Sequence, residues 1–508
     1  MLISIHSRPN LSRVEFHAIY SDKTRHVRGH GLQQIRNLKM FHLRNTRKSI
    51  GDALHLNDPD QQQSPSFNQE IISTFKLALP VVLGEIGWMA MGVADTILVS
   101  DLGPAAIGAS GIGGSVYFTF AVFGMGLFLG LDTLVSQSHG AGRHDESRQW
   151  LRTGVFLAVL LTPFLTILFA IVLQTVDYWG LTPEVLPMAR SYMKVVLWST
   201  GPLLVYSALR RYLQSIGRVR PVMIVLLSAN LLNIAFNWIL VYGHLGSPAF
   251  GVSGSAAATV ISRIYLAVGL AWIVWSIDPT IFPSKWYRSI FRNDLVKLVR
   301  LGFPAASQIT MEVGIFSLAS TLIGRMAPVS LAAHQIVLNI TSLTFMIPLG
   351  IASAAAVRVG HAVGANKLTS AARAGWAAIA LTNLVMISLA ASFVLIPATL
   401  VDLFTADHEI IRQGVRLLAI AAIFQIFDGL QAVTTGSLRG LGDTRTPAIC
   451  NLVAHWLIGM PVGVYLAFEM QMEVRGIWVG LSTGLIVTGV VLLFVWFRKS
   501  RQNQTFQP

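Results

Sequence analysis

The sequence contains little charge and almost no cysteine for its length. Of its 508 residues, 53% are hydrophobic and only 12% are charged, whereas a soluble domain is about 25% charged. A soluble chain of this size would lack the charge to cover its surface, so we expect much of that surface to face lipid. The single cysteine, Cys450, excludes an internal disulfide and a cysteine-based metal site.

Motifs of ATP-driven pumps, zinc proteases and selective channels are also missing. The sequence contains no G-x-x-x-x-G-K-[ST] phosphate loop and no H-E-x-x-H zinc motif. No apolar segment carries regularly spaced arginines, and no TVGYG-like selectivity filter occurs. These absences indicate that the protein is not an enzyme and predict no bound cofactor or resident metal.

The positive charge is distributed as in a membrane protein. The net charge is +14, and ten of the 38 Lys and Arg residues lie in 1–48. The others lie mostly in short loops between apolar runs. No basic stripe is interleaved with stacking aromatics, so we expect no nucleic-acid partner. Residues 1–67 are polar, basic and aperiodic and lack the apolar core of a secretory signal. They predict a disordered cytoplasmic tail or a true start nearer Met40, and the scarcity of acids leaves a transit peptide as an alternative.

Twelve apolar stretches are long enough to cross a hydrocarbon core, which takes about 20 helical residues. They span 71–99, 108–136, 151–173, 187–209, 221–242, 252–276, 297–324, 329–357, 374–400, 410–436, 447–468 and 475–497. The sequence therefore predicts an all-α integral membrane protein. Six spans fall in 68–277 and six in 297–497, with a linker at 278–296 and a C-terminal tail at 498–508.

Charge alternates between successive loops. Loops after even-numbered spans carry Arg and Lys, as at Arg210 and Arg211, whereas loops after odd-numbered spans carry mostly acids, as at Asp402 and Asp407. Because cytoplasmic loops are enriched in Lys and Arg, this pattern predicts that both termini are cytoplasmic.

The two halves resemble each other at a shift of about 224 residues. LALP at 77–80 matches LGFP at 301–304, and LGPAAIGA at 102–109 matches MAPVSLAA at 326–333. Because each half holds an even number of spans, both enter the membrane from the same side. The sequence therefore predicts parallel repeats, as in some secondary transporters.

Ionisable groups deep in apolar spans are costly, which marks them as functional candidates. Five carboxylates qualify, namely Glu85, Asp95, Asp132, Glu312 and Asp428. Glu312 and Asp428 lie near the centres of spans 7 and 10, where a carboxylate can exchange a proton or hold Na⁺. Asp95 lies toward the outer end of span 1, and Glu85 lies ten residues earlier. Asp132 is either a structural anchor or part of an inner gate.

Polar amides accompany these acids. Asn230, Asn233 and Asn237 share one face of span 5, where they either bond neighbouring helices or line a water-filled pocket. Gln425 precedes Asp428 in span 10. The residues expected to line a cavity are Glu85, Asp132, Asn230, Asn233, Asn237, Phe424 and Gln425. All the deep charges identified in this way are acids.

The sequence motifs of this chain resemble those of the multidrug and toxic compound extrusion family, in its bacterial multidrug antiporter branch. The resemblance covers the chain from about Ile71 to Lys499. It rests on GVADT at 92–96, on SQ at 136–137 with GAG at 140–142, and on NIAFNWILVYG at 233–243. In the second half it rests on LGFP at 301–304, AAHQ at 332–335, RVG at 358–360 and LRG at 438–440.

The resemblance implies a V-shaped pair of six-helix lobes that exports organic, often cationic and aromatic, compounds in exchange for H⁺ or Na⁺. The family's coupling carboxylates correspond to Asp95, Glu312 and Asp428. Some sodium-coupled relatives have Tyr four residues before the second-lobe Asp, and this chain has Phe424 there. Phe424 therefore departs from that form of Na⁺ coordination.

Two rival functions share a related two-lobe fold. A flippase for a lipid-linked precursor would be expected to have a basic central cavity, and an organic-acid exporter would bind anions. The acidic spans argue against both. We therefore expect a monomeric cation-coupled exporter of small organic molecules in the bacterial inner membrane.

Overall fold

The computed structural model describes residues 66–283 and 285–505, which form helices and connecting turns without a β-strand in those ranges. The predicted tail 1–67 lies outside the described residues except for its last two. Ser66 caps the first helix, because its hydroxyl accepts a hydrogen bond from the Gln69 backbone while the Gln69 side chain accepts one from the Ser66 backbone.

Twelve long helical segments follow in order. The first six are α1 Phe67–Ser100, α2 Pro104–Gly140, α3 His144–Tyr178, α4 at 185–215, α5 Val219–Tyr242 and α6 Val252–Ile277. The second six are α7 Arg292–Ile323, α8 Pro328–Gly364, α9 Leu368–Leu395, α10 His408–Gly440, α11 Arg445–Glu469 and α12 Glu473–Thr505. Segment α2 is interrupted by a turn at 128–129, α4 contains a 3₁₀ turn at Leu197–Ser199, and α11 includes two π-helical stretches.

Eleven of these segments are long and apolar enough to cross a membrane, judged by length and composition. The exception among the described segments is α4, which carries Arg190, Lys194, Arg210 and Arg211. Large apolar side chains on α3, including Val159, Phe164 and Ile167, are more than half exposed. Contiguous apolar surface of this kind is rare on soluble monomers, so the chain is a multi-pass membrane protein.

Helix ends differ from the prediction where proline intervenes. Span 9 is predicted to run from 374 to 400, but α9 ends at Leu395 and Pro397–Asp402 forms a separate short helix. Ile396 leaves the helical region with φ −131° and ψ 41°, because the residue before a proline is displaced from the α conformation.

The last helix is longer than predicted. Span 12 is predicted to end at 497, but α12 continues to Thr505, so most of the predicted tail 498–508 is helical. Two cation–π pairs one turn apart support this extension. The guanidinium of Arg498 lies 5.8 Å from the Phe494 ring and that of Arg501 lies 4.2 Å from the Phe497 ring.

The turns repeat at the register that the sequence predicts. Backbone φ is +72° at Gly142 and +56° at Asn366, which are equivalent positions under the repeat shift. It is +78° at Gly217 and +89° at Gly442, which match within one residue of the same shift. Only Gly and, less readily, Asn adopt this left-handed conformation at low cost. All four turns lie on one face of the molecule, which we call the basic side because its loops carry most of the Arg and Lys.

The helices form two lobes, the N-terminal lobe from α1–α6 and the C-terminal lobe from α7–α12. One buried cluster lies mainly in the N-terminal lobe and reaches Leu298 of α7, and a second lies in the C-terminal lobe between Ile315 and Leu485. A third cluster joins Ala78 of α1 to residues of α8, α9, α10 and α12. The lobes meet through pseudosymmetric glycines. A Cβ atom at Gly126 would lie 2.5 Å from Cα of Ala306, and one at Gly350 would lie 2.9 Å from Cα of Val82. The two glycines are equivalent under the repeat shift and so are their partners, which confirms the two-lobe repeat.

Candidate functional site

A polar cluster in the N-terminal lobe surrounds Asp95. On α5, Asn237 donates a hydrogen bond from Nδ2 to Asp95 Oδ1 over 2.7 Å, and on α6, Thr259 donates from Oγ1 to Asp95 Oδ2 over 2.9 Å. Both carboxylate oxygens therefore have neutral donors. Asn233 lies next to the same carboxylate and is fully buried, but its side-chain amide forms no well-aligned hydrogen bond within the described residues.

The predicted row of amides therefore divides into two parts. Asn233 and Asn237 belong to the Asp95 cluster. Asn230 lies one turn earlier on α5 than Asn233, and its Nδ2 donates to the Leu226 carbonyl oxygen over 3.0 Å. It faces Gly87 of α1, since a Cβ atom there would lie 3.4 Å from its amide nitrogen. Asn230 thus contributes to helix packing.

The same lobe contains a base that the sequence interpretation missed. Arg263 follows Thr259 by one turn near the middle of α6, and its Nη1 donates to Ser199 Oγ over 2.6 Å. Its guanidinium lies over the Tyr117 ring, 4.8 Å from the centroid. Within the described residues Arg263 has no ion pair, and its buried Nε has no hydrogen-bond partner.

The expectation that all deep charges are acids is therefore wrong. Arg263 lies inside the predicted span 252–276, and a search of the spans for bases as well as acids would have found it. An intramembrane guanidinium carries the same functional presumption as an intramembrane carboxylate.

The C-terminal lobe holds a purely acidic pair. Glu312 of α7 and Asp428 of α10 lie close enough to repel each other electrostatically. Gln431, one turn after Asp428, donates from Nε2 to Glu312 Oε1 over 3.2 Å. Neither carboxylate forms an ion pair within the described part of the chain. Two such carboxylates cannot both remain charged in a low-dielectric interior unless a cation joins them.

Two further predicted cavity residues have other roles. Phe424 belongs to the second core, where it is 2% exposed and lies against Trp478 with ring centroids 5.5 Å apart. Its assignment to a cavity wall is therefore wrong. Gln425 is buried and donates from Nε2 to Thr344 Oγ1 of α8 over 2.6 Å. Helical spacing places both residues near the face of Asp428, but Trp478 of α12 and Thr344 of α8 pack against them.

Glu85 is also not an open cavity residue. It forms a buried ion pair with Arg210 of α4, beside a stack of Trp88 and Tyr206. The sequence interpretation ended span 4 at 209 and so placed Arg210 in a loop, but α4 continues to Ser215. The partner charge that neutralises Glu85 is therefore inside the lobe.

Asp132 lies where the lobes meet on the basic side. Its Oδ2 is 3.3 Å from Nε of Arg439 in α10 and 3.5 Å from Nη1 of Arg211 in α4. Nearby, Gln137 donates from Nε2 to the Gly440 carbonyl oxygen over 2.9 Å. The part of α2 that follows the turn at 128–129 packs against α8 of the C-terminal lobe.

Other contacts close the same side. Glu70 pairs with Arg358, and His361 Nε2 lies 2.7 Å from the Ser215 carbonyl oxygen. We call these contacts and those of Asp132 and Gln137 the basic-side clasp. The hydrogen bonds, the ion pair and the ring contacts identified between the lobes lie in the half nearer this side. The protein is therefore closed on its basic side.

Comparison with known proteins agrees with this architecture. The MatE family profile matches residues 80–239 and 304–465, and the two matches begin at the equivalent prolines Pro80 and Pro304. The protein named Probable multidrug resistance protein NorM of Mesorhizobium japonicum is 35% identical over 449 residues, which cover 86% of this chain and 95% of the relative. Multidrug resistance protein NorM of Aliivibrio fischeri is 30% identical, with 85% of this chain and 96% of the relative covered.

Solved structures have the same fold. The eukaryotic MATE transporter AtDTX14 superposes with a TM-score of 0.76 at 22% identity, covering 87% of this chain and 99% of its own. An outward-facing multidrug resistance MATE family transporter superposes with a TM-score of 0.78 at 20% identity, covering 85% and 96%. The profile matches, the relatives and the two-lobe fold together identify the chain as a member of the MatE family, the multidrug and toxic compound extrusion transporters.

Proposed function

We propose that the protein is a cation-coupled antiporter that exports organic, cationic or aromatic compounds in exchange for H⁺ or Na⁺. The observation that carries the proposal is the pair Glu312 and Asp428, which share one intramembrane site without a basic partner among the described residues. Such a pair takes up either the coupling cation or a cationic solute. The relatives' names, which state multidrug resistance, support organic drugs as the exported compounds.

The coupling follows from competition between the two cations. An organic cation and the coupling ion neutralise the same carboxylates, so binding of one releases the other. Alternating access then requires two global states whose equilibrium depends on which cation is bound. The basic-side clasp closes one of these states on the basic side, and its opening exposes the interior to that side. Asp95 supplies a second cation site, in the N-terminal lobe. The activity is transport and involves no catalysis.

The orientation follows from the distribution of basic loops. The positive-inside rule places the basic side and both termini in the cytoplasm, and the bacterial relatives favour the inner membrane. We assign the N-terminal lobe to 68–277, the linker to 278–296 and the C-terminal lobe to 297–497, with an N-terminal tail at 1–67. Residues 498–505, predicted as a tail, belong to α12. The repeated glycine contacts complete the inter-lobe packing within one chain, which favours a monomer.

The coupling ion is tested in inverted membrane vesicles that contain the protein. Accumulation of a fluorescent organic cation is expected to require either a Na⁺ gradient or a proton gradient, because the acidic pair must be discharged in each cycle. Imposing each gradient alone, and then collapsing it with an ionophore, identifies the ion. Accumulation that persists at the same rate after both gradients are collapsed would contradict ion coupling.

Arg263 favours a second class of solute, an organic acid or a compound with a carboxylate. A buried guanidinium with an unused Nε–H can bind a carboxylate through charge-assisted hydrogen bonds. We expect Arg263→Gln to weaken export of a carboxylate-bearing aromatic compound at least fivefold and export of its cationic analogue less than twofold. The KM values of the matched pair measure this difference.

Arg263→Lys provides the control, because lysine keeps the positive charge but lacks the planar guanidinium with its paired N–H donors. It is expected to retain part of the export of the carboxylate-bearing compound. If Arg263→Gln slows both compounds equally, Arg263 has a structural role and organic acids are not solutes of this site.

A further inference from the structure

A large cavity opens on the basic side of the C-terminal lobe, away from both carboxylate sites. Its volume is about 720 Å³, within the range of small-molecule sites. Arg300 of α7, Arg445 at the start of α11 and Lys499 of α12 contribute cations to its walls. Leu301 and Leu441 contribute apolar surface. The cavity is therefore a cationic recess with an apolar lining at the end of the helices.

The cations in the cavity exceed the acids. Asp443, the acid among the lining residues, pairs with Lys499. Burial opposes ionisation of Asp443, but hydrogen bonds from Lys499 and from Thr446 outweigh it and hold the pKa of the carboxyl below its ordinary value. Arg300 and Arg445 have no ion pair within the described residues. Three cations and one carboxylate leave the lining with a net charge of +2.

The chemistry of this lining fits a phosphate ester. Guanidinium groups bind phosphate oxygens through paired hydrogen bonds, and a cavity of this volume accommodates more than a bare ion. The apolar wall suits the carbon portion of an amphiphile. The cavity also lies at the depth where loops meet lipid headgroups, and basic pockets between membrane helices bind anionic headgroups.

The cavity adjoins the basic-side clasp. Gly442, in its wall, has φ +89°, and a Cβ atom there would lie 3.6 Å from Thr133 Cγ2 and 3.9 Å from Gln137 Nε2. Thr133 and Gln137 donate to the carbonyl oxygens of Arg439 and Gly440. The turn that shapes the cavity is thus continuous with the residues that close the lobes.

We propose that this cavity binds the phosphate group of an anionic amphiphile, most simply a phospholipid headgroup of the adjacent leaflet. Arg300 and Arg445 bind the phosphate oxygens, and Leu301 and Leu441 contact the carbon chain. The occupied cavity holds α7, α12 and the α10–α11 turn together next to the clasp. This site goes beyond the proposed antiport, and it does not depend on the identity of the solute or of the coupling ion.

The test measures lipid binding to the purified full-length protein. Delipidated protein is titrated with phosphatidylglycerol and with phosphatidylcholine, and bound lipid is counted by native mass spectrometry. We expect tighter binding of phosphatidylglycerol, and we expect Arg300→Gln with Arg445→Gln to weaken it at least tenfold. A parallel titration with inorganic phosphate distinguishes the sources. If phosphate binds as tightly as phosphatidylglycerol and the same variant abolishes both, the site belongs to a free phosphate compound and the lipid proposal is wrong.

The repeat provides a matched control. Lys76 and Arg220 occupy the positions of the first repeat that correspond to Arg300 and Arg445, so Lys76→Gln with Arg220→Gln removes the same charge from the same helix ends of the other lobe. It is expected to change the affinity less than twofold. The proposal is wrong if both double variants weaken binding equally, or if neither ligand responds to the Arg300 and Arg445 changes in a variant that remains monodisperse.

Discussion

Replacing Glu312 with Gln and Asp428 with Asn together is expected to lower ion-driven export at least tenfold. The amides keep the shape of the side chains and remove the two charges that take up the coupling cation. No described base pairs with either carboxylate, so no other charge in that site replaces them. The measurement is the initial rate of dye accumulation in inverted vesicles with an imposed gradient, normalised to the amount of protein in the membrane.

Glu409→Gln is the control for this result. Glu409 lies at the start of α10, far from Asp428, in a solvent-exposed pair with Arg412, and solvent screens such pairs so that they contribute little to stability. Its loss should leave the rate within twofold of the wild-type rate. A Glu312→Gln, Asp428→Asn protein that exports at the wild-type rate would remove the acidic pair from the coupling mechanism.

Closure of the basic side is expected to fail when a methyl group is added at Gly140 or Gly364. A Cβ atom at Gly364 would overlap the carbonyl oxygen of Gln137, and one at Gly140 would overlap that of His361. Both obstacles are backbone atoms of the opposite lobe, so no side chain can move aside. Gly364→Ala should therefore shift the protein toward the state open on the basic side and reduce export about tenfold or more.

Thiol labelling measures this shift. In a Cys450→Ser background, Ser136→Cys reports access from the basic side in inverted vesicles, because Ser136 is fully buried. Gly364→Ala is expected to speed its reaction with a membrane-impermeant maleimide severalfold. Gly92→Ala is the control, since a Cβ atom there meets nothing within 4 Å. Equal labelling in both variants would show that these glycines do not set the closure.

The sequence was sufficient for the architecture because apolar length, loop charge and repeat register are local properties of the chain. The repeat shift, inferred from LALP and LGFP, recurs in the turns at Gly142 and Asn366 and in the contacts of Gly126 and Gly350. Two predicted boundaries differ from the observed helix ends. Helix α9 ends at Leu395, before the predicted end at 400, because Pro397 follows. Helix α4 continues past the predicted end at 209, where hydropathy falls but the helix does not end.

The intramembrane acids were visible in the sequence, but their partners were not. Hydropathy marks Glu85, Asp95, Asp132, Glu312 and Asp428 alike, since each interrupts an apolar run. Only the packing of helices distant in sequence separates them. It pairs Glu85 with Arg210, surrounds Asp95 with neutral donors and places Asp132 against Arg439. It brings Glu312 and Asp428 together without a base.

The sequence alone therefore determined a two-lobe, twelve-helix membrane protein and the short set of deep carboxylates. The tertiary structure decided which of those carboxylates are neutralised, that Phe424 lies in a core, and that Arg263 shares a lobe with Asp95. The physical reason is the range along the chain over which each property is set. Hydrophobicity acts through the composition of a segment, whereas the charge state of a buried group depends on side chains that only folding brings within a few ångströms.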